Sequence, residues 1–290
     1  MSIRNPVEWG VDQFRHTVHG IESVNRGIIP TEEASHLPIP IVRRIKVADL
    51  KDVIADGFRD FGAERTDVIF LCAFYPVIGL LFASLAAGHA MVPLLFPLAS
   101  GFALIGPFAG VGLNEMSRRR EQGTSEGWTD VFRVLSSPSI GAIVLLGFVL
   151  TMIFLFWLVT AYTIYNLTLG PLPPASVTAF VHDLFLTAPG RTLIITGVGA
   201  GFIFATIVLV ISVVAFPLLL DREVGVEVAV RTSVRAALTN PGPMALWGLI
   251  IAASLVIGSI PIFLGLVIAL PVLGHASWHL YRKMVVPPHH

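Results

Sequence analysis

The chain has 290 residues, of which 54% are hydrophobic and only 13% charged, with a mean hydropathy of +0.79 and a formal net charge of zero. Soluble domains carry about 25% charged residues, so this composition excludes an ordinary soluble globular protein and gives no basic face for nucleic acid. The single cysteine, Cys72, excludes an internal disulfide and any cysteine-based zinc cluster.

Residues 1–46 are polar, are broken by Pro30, Pro38 and Pro40, and suit a cytoplasmic tail. The first twenty residues lack an apolar core, so no cleaved signal peptide is expected. Over 47–66 the apolar residues Val47, Leu50, Ile54, Phe58 and Phe61 recur at helical spacing, with Lys51, Asp52, Asp56 and Arg59 between them. This pattern predicts an amphipathic helix lying in the membrane interface before the first span. A helix packed on a partner domain would show the same spacing.

Residues 67–286 form the membrane domain of an all-α, polytopic helix bundle. Apolar runs predict spans at about 68–87, 90–113, 140–165, 192–220, 244–259 and 261–281. The longer runs meet the requirement of about 20 residues to cross some 30 Å of hydrocarbon. The last block, 244–281, is too long for one ordinary helix and is broken by "GSIP" at 258–261. Two short spans are the preferred reading, with a re-entrant hairpin as the alternative.

Charge placement favours six spans. Nine Arg and Lys precede Val68, and Arg118, Arg119, Arg120 and Arg133 lie in the first inner loop. Arg222, Arg231 and Arg235 lie in the second inner loop, and Arg282 and Lys283 follow the last span. Arg191 alone falls on the other side, so the positive-inside rule puts both termini in the cytoplasm. A parallel internal repeat is also visible. Residues 104–150 run apolar helix, polar segment, "SP", apolar helix, and residues 208–257 run likewise with "NP". Each polar segment contains a short amphipathic helix, about 125–135 and 224–238.

The segments "DGFRDFG" (56–62), "PLASGFALIGPFAGVGLNEMSRRREQG" (97–123), "FPLLLDREVG" (216–225), "NPGPMALWGLI" (240–250) and "PVLGHASWHLYRK" (271–283) resemble an uncharacterised family of predicted bacterial multi-span integral membrane proteins. The resemblance covers about residues 45–286. It implies a protein of the bacterial inner membrane and brings no activity, substrate or catalytic residue.

Little else in the chain looks like chemistry. The predicted span cores contain no Asp, Glu, Lys or Arg, which argues against a proton-coupled pump or a buried acid–base enzyme. Pro76, Pro93, Pro97, Pro107, Pro217, Pro261 and Pro271 sit in or beside apolar runs. They imply either kinks in a compact bundle or broken helices around a cavity. Gly106/Gly110 and Gly197/Gly201 make small-residue faces for close helix contact, with internal packing preferred. The Arg118–Arg119–Arg120 run suits an orientation signal, or an anionic headgroup contact. In the outer loop 166–191 a short interfacial helix is expected, and the neighbouring His182 and Asp183 should point apart.

His275 and His279, four residues apart, stack two imidazoles on one helix face. With Trp278, Tyr281, Arg282 and Lys283 they read as an interfacial anchor. As metal or haem ligands, with His89 as a third candidate, they are too few for a closed zinc site. No catalytic residue and no cofactor is therefore expected. The leading function is a non-enzymatic accessory, assembly or scaffold component of a membrane complex, whose partners are the lipid bilayer and other subunits or a second copy. The alternatives are a transporter or channel for a small neutral or hydrophobic solute, and a haem- or metal-binding membrane redox protein.

Overall fold

The computed structural model describes residues 40–72, 93, 95–124, 127–261 and 264–287. Among them the regular elements are all helices: α1 Asp49–Cys72, α2 Leu95–Ala109, α3 Val111–Glu121, a 3-10 helix Trp128–Ser136, α4 Ile140–Thr168 and α5 Val177–Leu186. They continue with α6 Ala188–Ser212, α7 Ala215–Asp221, α8 Val226–Thr239, α9 Pro241–Ser259 and α10 Leu266–Met284. Among the described residues, four stretches are long and apolar enough to cross a membrane: Phe96–Glu121, Ile140–Thr168, Ala188–Asp221 and Pro241–Ser259. The expected span 68–87 lies outside the described residues from position 73 onward.

Side-chain contacts give the direction of each helix. Trp157 on α4 donates its indole N–H to the Pro97 carbonyl at 2.9 Å, while Gly147, ten residues earlier, faces Phe108. α4 therefore runs antiparallel to α2. Trp157 also stacks against Phe204 of α6, and Gly248 of α9 faces Leu209 of α6. Gly258 and Gly265 approach within 2.7 Å of where a Cβ would sit, so α9 and α10 meet in a tight hairpin that only glycine permits. α10 then returns alongside α9 and carries two basic residues, Arg282 and Lys283, in its last turn. Its charged, histidine-bearing second half keeps it out of the set of four membrane-length apolar helices, although 261–281 was expected to span.

α1 differs from expectation. Of its predicted apolar stripe, Leu50 is buried within the protein beside Val53, whereas Val47 and Phe58 remain about half exposed. α1 instead packs antiparallel to α10. Lys283 meets Asp52 at 2.8 Å, His279 meets Asp60 at 2.8 Å, and Gly57 sits against Val272 and Ala276. The buried side of 47–66 thus has a helix as its partner, the chain's own last one.

The repeat is visible in the element order. α2, α3, the 3-10 helix and α4 correspond to α6, α7, α8 and α9, and each descending leg breaks near a proline, Pro107 or Pro217. The two breaks meet where Phe108 and Phe216 pack with ring centroids 6.1 Å apart. Between α6 and α7 the backbone bond from Val214 to Val210 is replaced by a side chain. The Val214 N–H donates to the Ser233 hydroxyl (3.2 Å), which donates to the Val210 carbonyl (2.8 Å). Both backbone groups would otherwise be buried unpaired. Ser233→Ala should therefore cost about 1–3 kcal/mol, seen as a lower midpoint in thermal unfolding of the detergent-solubilised protein; an unchanged midpoint would show that the bridge does not matter.

Candidate functional site: a buried polar network at one end of the bundle

Both described chain ends gather at the same end of the bundle. Val42 pairs with Val285, Arg43 N–H donates to the Met284 carbonyl (2.8 Å), and Val286 N–H donates to the Ile41 carbonyl (3.0 Å). Asn240, between α8 and α9, locks this ribbon by accepting from Ile45 N–H (2.7 Å) and donating to the Arg43 carbonyl (3.1 Å). Ionisable side chains from α1, α3, α7 and α10 then converge above it.

The centre is Asp60 on α1, whose side chain is only 9% exposed. Its Oδ2 accepts from the Ser117 hydroxyl of α3 at 2.6 Å and from His279 Nε2 of α10 at 2.8 Å. Its Oδ1 lies 3.3 Å from Arg120 Nε. His275, one turn before His279, places Nδ1 2.8 Å from Ser117 Oγ. Because the serine proton is directed at Asp60, the histidine nitrogen is the donor to Ser117, which fixes the tautomer. His275 Nε2 is then a buried acceptor with no partner among the described residues. This places a serine between histidine and aspartate, whereas a nucleophilic triad needs the histidine in the middle. Ser117 is also 1% exposed, and its hydroxyl joins α1, α3 and α10.

A second cluster continues downward. Glu121 accepts from the Trp278 indole (2.9 Å) and from two nitrogens of Arg282 (3.0 and 2.7 Å). Tyr281 donates to Asp221 (2.5 Å), which also lies 3.5 Å from Arg222 and 3.6 Å from Arg282. The guanidinium of Arg282 stands 5.7 Å from the centre of the Trp278 ring. On the flank, Arg118 pairs with Glu115, and Arg119 and Arg133 converge on the buried Asp130.

Burial raises the Asp60 carboxyl, but hydrogen bonds from His279 and Ser117 outweigh it and hold the group below the ordinary carboxylate range. A carboxylate depressed in the folded state contributes stability above its unfolded value of about 3.9. That contribution is lost as pH falls through the folded value. The midpoint of unfolding should thus fall on acidification below about pH 4, and the fall should shrink in Asp60→Asn; equal acid sensitivity in both would refute the assignment.

The spacing of His275 and His279 does put both imidazoles on one face, where His279 bonds Asp60 directly and His275 bonds Ser117, which in turn bonds Asp60. The anchor reading fails: His275, Trp278 and Tyr281 are each 1% exposed and face protein. His89 lies outside the described residues. Among the described residues no three His, Cys, Asp or Glu side chains are gathered to hold a metal. Sequence reading missed Asp60, Ser117 and Arg120 as partners of the histidines. The available signal was "DGFRDFG", where Asp56, Gly57 and Asp60 fall on neighbouring helical positions. The expected separation of His182 and Asp183 also fails, since the two meet at 3.4 Å, both well exposed.

Glycine environments divide the small-residue faces. Gly201 contacts Trp157, whereas a Cβ at Gly106 or Gly197 would meet nothing within 4 Å. Exposed apolar side chains run along α4 (Phe148, Phe156, Val159), α6 (Ile195, Phe202, Ile203) and α9 (Leu249, Val256, Ile257). Exposed rows of this kind on long helices suit a lipid or protein surround and not water.

No curated protein and no solved structure matches the chain. Residues 95–221, from the start of α2 to the end of α7, match a family model described as predicted integral membrane protein (DUF2189). Ser117, Arg120, Glu121 and Asp221 lie inside the matched segment, and Asp60, His275 and His279 lie outside it. With four membrane-length apolar helices in the fold, the chain is an integral membrane protein, similar over residues 95–221 to this uncharacterised membrane family.

Proposed function

We propose that this protein is a six-span component of the bacterial inner membrane, with both termini cytoplasmic, that works by contact as an accessory, assembly or scaffold subunit. The charge map supports the topology, as does the pairing of residues 41–43 with 284–286 at one end. Helices α1, α4 and α9 run away from that end and α2–α3, α6–α7 and α10 run back to it. The sixth crossing is then α10, whose apolar first turns complete the hairpin with α9.

The observation that carries the functional reading is the division of surfaces. Ionisable groups at the polar end bind one another across four helices, while α4, α6 and α9 turn apolar rows and uncovered glycines outward. Such a molecule offers a rigid base and an apolar flank to neighbours in the bilayer. Blue-native electrophoresis of gently solubilised membranes should show the chain in a complex well above its own 31.3 kDa. Migration as a lone monomer, together with solute flux in reconstituted vesicles, would replace this reading with a transporter for a small neutral solute.

A further inference from the structure

We propose that the outer face of α8 binds the headgroup of an anionic phospholipid through Arg231 and Arg235. The helix turns Ala229, Thr232, Ser233, Ala236 and Ala237 into the protein. Its other side carries two adjacent lines at four-residue spacing, one apolar (Val230, Val234, Leu238) and one cationic (Arg231, Arg235). These residues and Thr239 line an open groove of about 400 Å³, and Leu238 at its edge is 74% exposed.

Depth in the bilayer identifies the occupant. α9 begins two residues after α8 ends, and its 19 residues extend about 28 Å. That length matches a hydrocarbon core of about 30 Å, so α8 lies at headgroup depth on the inner side. α8 takes this depth only with α9 crossing the membrane, as proposed above. At that depth the valine–leucine line enters the acyl boundary and the guanidiniums meet phosphate, which they bind in bidentate fashion.

Charge selects an anionic headgroup. Arg231 is held by Glu227 at 2.9 Å, whereas Arg235 has no acidic partner among the described residues. Exposed Arg43 and Arg44 add to the field, the Arg43 carbonyl being tied to Asn240 just beyond the helix. The Arg118–Arg119–Arg120 run, the more obvious candidate in the sequence, is engaged inward with Glu115, Asp130 and Asp60. The other repeat provides a comparison. Its 3-10 helix also exposes Phe132 and Leu135, but Arg133 there is paired with Asp130. Both repeats therefore rest on lipid, and α8 is the one that selects charge.

Native mass spectrometry of the full-length protein, with phosphatidylglycerol or phosphatidylcholine of matched chains added, tests this. Wild type should retain phosphatidylglycerol preferentially, and Arg235→Gln should reduce that preference roughly fivefold, the effect expected for one interfacial charge. Arg231→Gln/Arg235→Gln should abolish it. Arg133→Gln and Arg191→Gln, which remove the same charge elsewhere, should leave it intact. Equal retention of the two lipids by wild type, an unchanged preference in the double variant, or displacement of the lipid by equimolar inorganic phosphate would each overturn the proposal. Cysteine labelling of the topology, which involves no lipid selectivity, distinguishes failure of this site from failure of α9 to cross.

Discussion

Asp60→Ala should destabilise the folded protein by about 3–5 kcal/mol. The carboxylate is shared by Ser117, His279 and Arg120, so its removal leaves a buried hydroxyl and a half-buried imidazole without their acceptor and a partly exposed guanidinium without its counter-ion. Asp60→Asn keeps the shape and one acceptor oxygen and should cost less. Asp52 on the same helix should behave differently. Its pair with Lys283 is largely solvent-exposed, and Asp52→Ala should cost no more than about 1 kcal/mol. Denaturant or thermal unfolding in detergent reads both, and a double-mutant cycle of Asp60→Ala with His279→Ala should show coupling of about 0.5–3 kcal/mol. Equal, small losses at Asp60 and Asp52 would mean that the network does not hold α1 to α10.

Glycine-to-alanine substitutions on α1 should have opposite signs at two positions five residues apart. A Cβ at Gly57 would stand 2.7 Å from the Val272 carbonyl oxygen and 2.8 Å from the Ala276 Cβ, and backbone cannot move aside as a flexible side chain can. Gly57→Ala should therefore force α1 and α10 apart at a cost of about 1–3 kcal/mol, and Gly57→Leu more. A Cβ at Gly62 meets nothing within 4 Å. Gly62→Ala should be neutral or stabilising by up to about 1 kcal/mol, because alanine restricts the unfolded chain and favours helix. Matching effects at the two sites would contradict close packing of α1 on α10.

Much of the fold was legible because membrane helices state their period and length openly. The apolar runs beginning near residues 140, 192 and 244 lie within helices that the structure shows, and the "SP" and "NP" marks precede the starts of α4 and α9 as the repeat requires. α1 was legible as an amphipathic helix, but its partner was not, since a stripe of Val47, Leu50, Ile54, Phe58 and Phe61 fits a lipid surface and a helix equally well. The site was half legible. Spacing placed His275 and His279 on one face, yet Asp60 and Ser117 lie 219 and 158 residues from the histidines that they meet, and no local pattern announces so distant a pairing. The anchor reading failed for a related reason. Trp, Tyr, His and Arg at a helix end look the same whether they meet headgroups or, as here, carboxylates on α3 and α7. The arginine run at 118–120 misled in the same way, because each guanidinium found an acid inside the protein.

The account depends on one end of the bundle being a single cytoplasmic face that holds both chain ends, the Asp60 network and α8. Single cysteines in a Cys72→Ser background, at exposed Leu172, Glu223 and Pro287, report this through labelling by a membrane-impermeant maleimide. The account predicts that Leu172→Cys labels in intact spheroplasts, whereas Glu223→Cys and Pro287→Cys label only after the membrane is opened. Labelling of Glu223→Cys and Pro287→Cys from opposite sides, or of all three from the same side, would contradict it.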